Sequence, residues 1–163
     1  MSDKTLRVLR IVDGTSVDGP GLRTSIYLAG CSHACAGCHN MQSWDFAAGD
    51  EMTIDEIVEH VELEGCNVTL SGGDPLYQAD ALLPLLAELK ARGYNVWCYT
   101  GFIYEQVYND VSMKRVLDYV DVLVDGPFVM SERDITLRFR GSANQRLIDV
   151  AASRPDNIVQ WAD

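Results

Sequence analysis

The sequence predicts an α/β fold built on an open parallel sheet, a partial (βα) barrel formed by one domain over residues 1–163. Three observations predict it. Apolar, β-branched runs alternate with amphipathic stretches in the order strand, loop, helix, strand, the pattern of parallel βα units. With 163 residues the chain can bury one core but falls short of the ~250 residues that a closed eight-unit barrel takes. The residues best suited to chemistry fall just after the predicted strands, at the edge where open α/β sheets bind their ligands.

Each element has its own justification. Residues 6–12, Leu-Arg-Val-Leu-Arg-Ile-Val, read as a leading strand, and Asp18-Gly19-Pro20-Gly21 as a sharp break after it. Residues 24–29 are the first buried strand, and they deliver the chain directly into a cysteine-rich loop. Met41 to Glu51 shows no clear period. Thr53 and Glu56 have capping-box spacing and start a helix running to about Glu64, with Ile54, Ile57, Val58 and Val61 as its apolar stripe. His60 falls on the opposite, solvated side. Residues 67–70 form the second strand, ending on Ser71-Gly72-Gly73-Asp74-Pro75. Asp80 is placed to cap a helix from Ala81 to Arg92, which Gly93 stops. Residues 95–99 are the third strand, closed by Thr100-Gly101. Helical pieces follow near 103–108 and 113–119, then a fourth strand over 120–124 ends at Asp125-Gly126-Pro127.

Composition narrows the function. Nearly half the chain is apolar and no long apolar span occurs, so an ordinary globular protein is expected and a membrane role is not. The N-terminus carries no apolar signal core, which points to the cytoplasm. The net charge of −11, with no basic run, argues against nucleic acid and anionic membranes, both of which are bound through Lys and Arg. Acidic charge keeps such a protein soluble; a basic protein partner is the sharper alternative.

Three of the five cysteines, Cys31, Cys35 and Cys38, fall within eight residues. A disulfide needs an oxidising compartment and an even count, so this cluster reads as thiolate ligands of a metal or metal cluster. A closed zinc site needs four ligands, and His33 or His39 can supply the fourth. An iron–sulfur cluster usually takes four cysteines; three from one loop leave one iron open to another ligand. Cys66 and Cys98 border or enter apolar runs and read as structural.

The C-x3-C-x2-C spacing, followed by a Gly-Gly-acid turn, resembles the radical S-adenosylmethionine enzymes. Five further segments are similar to one branch, the activating proteins of anaerobic (class III) ribonucleoside-triphosphate reductases. They are Asp18-Gly-Pro-Gly-Leu-Arg-Thr24, Ser71-Gly-Gly-Asp-Pro-Leu76, Tyr99-Thr-Gly101, Asp121-Val-Leu-Val-Asp-Gly-Pro-Phe128 and Phe139-Arg-Gly-Ser-Ala-Asn-Gln-Arg146. The resemblance runs from about residue 8 to residue 150.

That resemblance implies a partial barrel of the radical S-adenosylmethionine type and a [4Fe-4S] cluster on Cys31, Cys35 and Cys38. The open iron would chelate S-adenosyl-L-methionine, whose reductive cleavage gives a 5′-deoxyadenosyl radical. Gly72 and Gly73 would let backbone carbonyls approach the methionine amino group, with Asp74 adding a charge-assisted bond where relatives often carry Glu. Gly37 stands where many superfamily members have an aromatic residue, so the backbone of Gly37, Cys38 and His39 would hold adenine. Asp125 and Arg140 are candidates for polar contacts to cofactor or partner, weighed against ordinary ion pairs. The implied partners are the large reductase subunit, which receives the radical on a glycine, and flavodoxin or ferredoxin as electron donor. The alternatives are an activase for another glycyl-radical enzyme and a zinc-stabilised binding module.

Overall fold

The computed structural model describes residues 4–31, 33, 45 and 47–162. Four strands run parallel at its centre: β2 (Arg23–Leu28), β4 (Asn67–Gly72), β5 (Val96–Tyr99) and β6 (Val122–Asp125). Three more extend the sheet: β1 (Thr5–Thr15) pairs antiparallel with β2, β3 (Asp50–Thr53) pairs antiparallel with β1 at the edge, and β7 (Arg146–Asp149) pairs antiparallel with β6. The sheet order is β3-β1-β2-β4-β5-β6-β7. The expected parallel sheet thus describes the four central strands and is corrected at both edges. Parallel neighbours are usually joined through a crossover helix; the segments from β1 to β2 and from β6 to β7 hold no α-helix, and these strands pair antiparallel.

The helices are α1 (Ile54–Glu64), α2 (Ala79–Ala91), α3 (Tyr104–Asn109) and α4 (Val111–Val116). At the head of α1, the Glu56 N–H donates to Thr53 Oγ1 and the Thr53 N–H to Glu56 Oε1, both at 3.1 Å, the expected capping box. The second long helix starts earlier than expected. Asp80 lies inside its first turn, and the turn before it, Pro75–Gln78, is opened by Asp74, whose Oδ1 accepts from Leu76 N.

Strand alternation sorts the side chains onto two faces. On one, Ile26, Leu28, Leu70, Cys98, Leu123 and Ile148 pack with the helical Ile57, Val61, Leu82, Leu86 and Val107 into the main core. On the other, Trp97, Val122 and Val124 form a smaller cluster with Phe139, Leu147 and Trp161. The four α-helices therefore cover one face, and among the described residues turns and the C-terminal segment cover the other.

At the N-terminal end of that second face Arg23 is enclosed, 1% exposed. Its Nε donates to Thr69 Oγ1 and its Nη2 to Val68 O and Asn95 Oδ1, each at 2.8 Å, and its guanidinium lies 5.6 Å from the Trp97 ring centre. Burial pulls its pKa down to about 10. No described helix is long and apolar enough to cross a membrane.

Candidate active site

The C-terminal ends of the four parallel strands bring the predicted motifs to one edge. β2 runs through Ala29 and Gly30 into Cys31, which is half-buried. The turn after β4 is lashed to that same stretch: Gly73 N donates to Leu28 O at 2.8 Å and Asp74 N to Gly30 O at 2.7 Å. Gly72 has φ +106°, and a Cβ there would stand 2.4 Å from Leu28 N and 2.5 Å from Leu28 O. The missing side chain admits the neighbouring backbone of β2, a use that the sequence did not reveal.

Asp74 is the hub of this edge. Its side chain is fully enclosed, and its Oδ2 accepts from His33 Nε2 at 2.7 Å and from Thr100 Oγ1 and Gly101 N at 2.9 Å. One carboxylate thus joins the cysteine loop, the turn after β4 and the turn after β5. The His33 ring is held further by Phe102, edge-on at 4.6 Å, and Tyr77 at 5.5 Å. Gly101 makes room for it, since a Cβ there would come 2.5 Å from the imidazole. The sequence presented His33 only as a spare metal ligand; its Nε2 is engaged by Asp74. Thr100 and Phe102 were missed as partners, and the Tyr99-Thr-Gly101 motif was the available signal for them.

Asp125 ends β6, 1% exposed, inside a second network. Its Oδ2 accepts from Tyr104 N at 2.7 Å and from Arg146 Nη2 at 2.5 Å, and its Oδ1 from Arg146 N and Nε. Arg146 also reaches Glu105 Oε1 at 2.7 Å. These bonds raise the arginine pKa and lower that of Glu105.

A cavity of about 540 Å³ opens beside the edge on the face away from α1–α4, lined by Val17, Asp18, Gly72, Tyr99, Phe139 and Arg140 among others. Tyr27 donates to Asp18 Oδ2 at 2.5 Å, and burial together with that carboxylate pushes the phenol up to about 12. Tyr99 donates to Phe139 O at 2.5 Å. Phe139 has φ +64°, the only positive φ of a non-glycine residue among those described, a strained conformation for an aromatic side chain. Arg140 donates from Nη1 to Gln145 O at 2.7 Å, while its buried Nε has no partner.

The other cysteines separate cleanly. Cys66 immediately precedes β4, at the end of the sheet opposite Cys31. Cys98 sits in the helix-side core, where burial pushes its thiol pKa up. Cys35, Gly37, Cys38 and His39 lie outside the described residues. His60, expected to be solvated, is partly exposed and bonds Asp13 Oδ1 at 2.8 Å.

Cys31 leaving β2, a glycine turn bonded to it after β4 and a cavity beside that turn, in a sequence that continues to Cys35 and Cys38, are the features of a mixed α/β protein built to hold an iron–sulfur cluster. Residues 17–148 match the family described as a 4Fe-4S single cluster domain. The fold is similar to that of QueE from Escherichia coli, with a TM-score of 0.51 and 19% identity over 60% of this chain and 53% of that one. Among curated proteins, the chain is 36% identical to the anaerobic ribonucleoside-triphosphate reductase-activating protein of Haemophilus influenzae, over 79% of this chain and 88% of that protein. The proteins of the same name from Escherichia coli K12 and Enterobacteria phage T4 are 34% and 35% identical, covering 79% and 85% of this chain and 89% and 90% of their own lengths. The chain belongs to the family of anaerobic ribonucleoside-triphosphate reductase-activating proteins.

Proposed function

We propose that the chain activates an anaerobic ribonucleoside-triphosphate reductase by generating a glycyl radical on its large subunit. The supporting observation is the meeting of Cys31, the Gly72–Asp74 turn and the adjoining cavity at one strand edge. The donor set fits the group that the family implies: three thiolates from one loop suit a [4Fe-4S] cluster with an open iron. With S-adenosyl-L-methionine bound, that cluster supplies reductive carbon–sulfur cleavage and a 5′-deoxyadenosyl radical.

The chain's own residues bind, orient and shield. Cys31, Cys35 and Cys38 hold the cluster. The backbone of Gly72 and Gly73 faces the methionine amino group, and Asp74 draws that ammonium by its charge while fixing the turns around it. The backbone of Gly37, Cys38 and His39 receives adenine. Asp125 serves the site through the β6 end, which it anchors to Arg146 and Tyr104. The sheet is a partial barrel whose open side admits a protein segment, because a hydrogen atom moves only between carbons nearly in contact. The whole chain works as one domain in the cytoplasm, receives its electron from a flavodoxin or ferredoxin, and needs neither nucleic acid nor membrane.

Electron paramagnetic resonance tests the reading. The chain, the reductase large subunit, a reductant and S-adenosyl-L-methionine, mixed without oxygen, should give a doublet-type glycyl signal. Cys35→Ala should abolish it, while Cys66→Ala and Cys98→Ala should preserve it. Activation of a different glycyl-radical enzyme and not of the reductase would overturn the partner. Stoichiometric zinc without iron would overturn the chemistry.

A further inference from the structure

At the end of the sheet opposite Cys31, three metal-ligating side chains converge from two elements. Asp13 comes from β1, and His60 and Glu64 come from the second half of α1. A ring nitrogen of His60 and one carboxylate oxygen each of Asp13 and Glu64 all lie within 4.8 Å of one another. His60 and Glu64 are four residues apart, which puts them on one side of the helix. Asp13 follows Ile11 by two residues, and Ile11 packs against the main core, so both point to the face that α1 covers. The pairing of β1 with β2 is irregular between Val12 and Thr15, and Gly14 has φ +60°. Such an irregularity re-aims a neighbouring side chain.

The group holds two carboxylates and one imidazole, and among the described residues its one ion pair is His60–Asp13, at 2.8 Å. Glu64 stands in the last turn of α1, which carries no basic residue. The carbonyl end of a helix bears partial negative charge, which favours cations and opposes carboxylates. The ion pair accounts for Asp13 and His60. It leaves Glu64 beside like charge, and a bound cation relieves both. Zinc takes nitrogen and carboxylate ligands at about 2.0–2.2 Å, so ligand atoms sharing one ion on a tetrahedron stand about 3.4 Å apart. All three side chains are at least partly exposed and are free to close that gap, with water in the fourth position.

We propose that Asp13, His60 and Glu64 bind one divalent first-row transition metal ion, of which zinc suits a four-coordinate set of one imidazole, two carboxylates and a water. The ion pins β1 to α1 at the foot of the sheet. It is additional to the iron of the cysteine loop and stands independently of the function proposed above.

Anaerobic calorimetric titration of the cluster-loaded chain with zinc chloride tests it. The wild type should take up one zinc, and X-ray absorption at the zinc edge should show nitrogen and oxygen neighbours without sulfur. His60→Ala and Glu64→Gln should each weaken binding about tenfold or more, the least that disturbing the support of a metal ligand costs. Glu59→Gln, which removes an exposed charge on the same helix outside the group, should bind as the wild type does. Zinc should raise the urea midpoint of the wild type and leave that of His60→Ala unmoved. All three variants should keep the cluster's absorption and release 5′-deoxyadenosine at the wild-type rate, which also shows that they fold. Wild-type affinity in either His60→Ala or Glu64→Gln, an equal loss in Glu59→Gln, or sulfur around the bound zinc overturns the site. A wild-type chain that takes up no zinc overturns it as well, and none of these results touches the proposed function.

Discussion

Asp74 offers the sharpest test of how the site is held. Asp74→Ala removes the acceptor for four donors, at Leu76 N, His33 Nε2, Thr100 Oγ1 and Gly101 N. The imidazole is partly exposed and can turn to water. Leu76 and Thr100 are buried, so their donors lose a partner without regaining solvent. Each buried donor stranded in this way costs about 1–3 kcal/mol. Two such donors set the expected loss at about 2–6 kcal/mol. It is a large share of the roughly 5–15 kcal/mol that holds a domain folded. Anaerobic urea unfolding followed by circular dichroism reads it directly. Asp74→Asn, which keeps the acceptor for Leu76 N, should lose about half as much, and Thr100→Val about 1 kcal/mol. A stability for Asp74→Ala within 0.5 kcal/mol of wild type, roughly the precision of the extrapolation, would refute the reasoning. Lost cofactor binding at unchanged stability would mean instead that the carboxylate works on the ligand alone.

Two further outcomes follow from local geometry. Gly72→Ala forces a methyl group into the Leu28 backbone at positive φ and should cost ~3 kcal/mol or more, whereas Gly65→Ala, also at positive φ but with nothing within 4 Å, should cost about 1 kcal/mol in thermal unfolding. Glu105 has its pKa lowered from 4.5 by Arg146, so its contribution is present above about pH 4.5 and is lost as pH falls through the depressed value; Glu105→Gln should flatten that part of the acid limb of a stability–pH profile, and an unchanged limb would show that the pair contributes nothing.

The sequence disclosed what repeats along the chain and hid what depends on the chain returning to itself. The alternation of strand and helix places β2, β4, β5 and β6, and the rule that sites lie at strand C-termini sends Cys31, Gly72, Thr100 and Asp125 to one edge. The Thr53–Glu56 box is local, so it was readable residue by residue. β3 was not, because Asp50–Thr53 is mostly polar and becomes a strand only by pairing with β1. Nor was the role of Asp74, whose partners come from three separate turns. The reason for Gly72 was hidden likewise: a glycine announces freedom or closeness without saying what comes close.

The one-sided layering of helices has a consequence for how firmly each half of the molecule is kept shut. The helix side interlocks long apolar side chains from every central strand, so exposing its amides demands something near global unfolding. The opposite side is closed by Trp161, Phe139 and a run of turn backbone over a small aromatic cluster. Hydrogen exchange should therefore show the smaller protection on that side, which is the side on which the cavity lies.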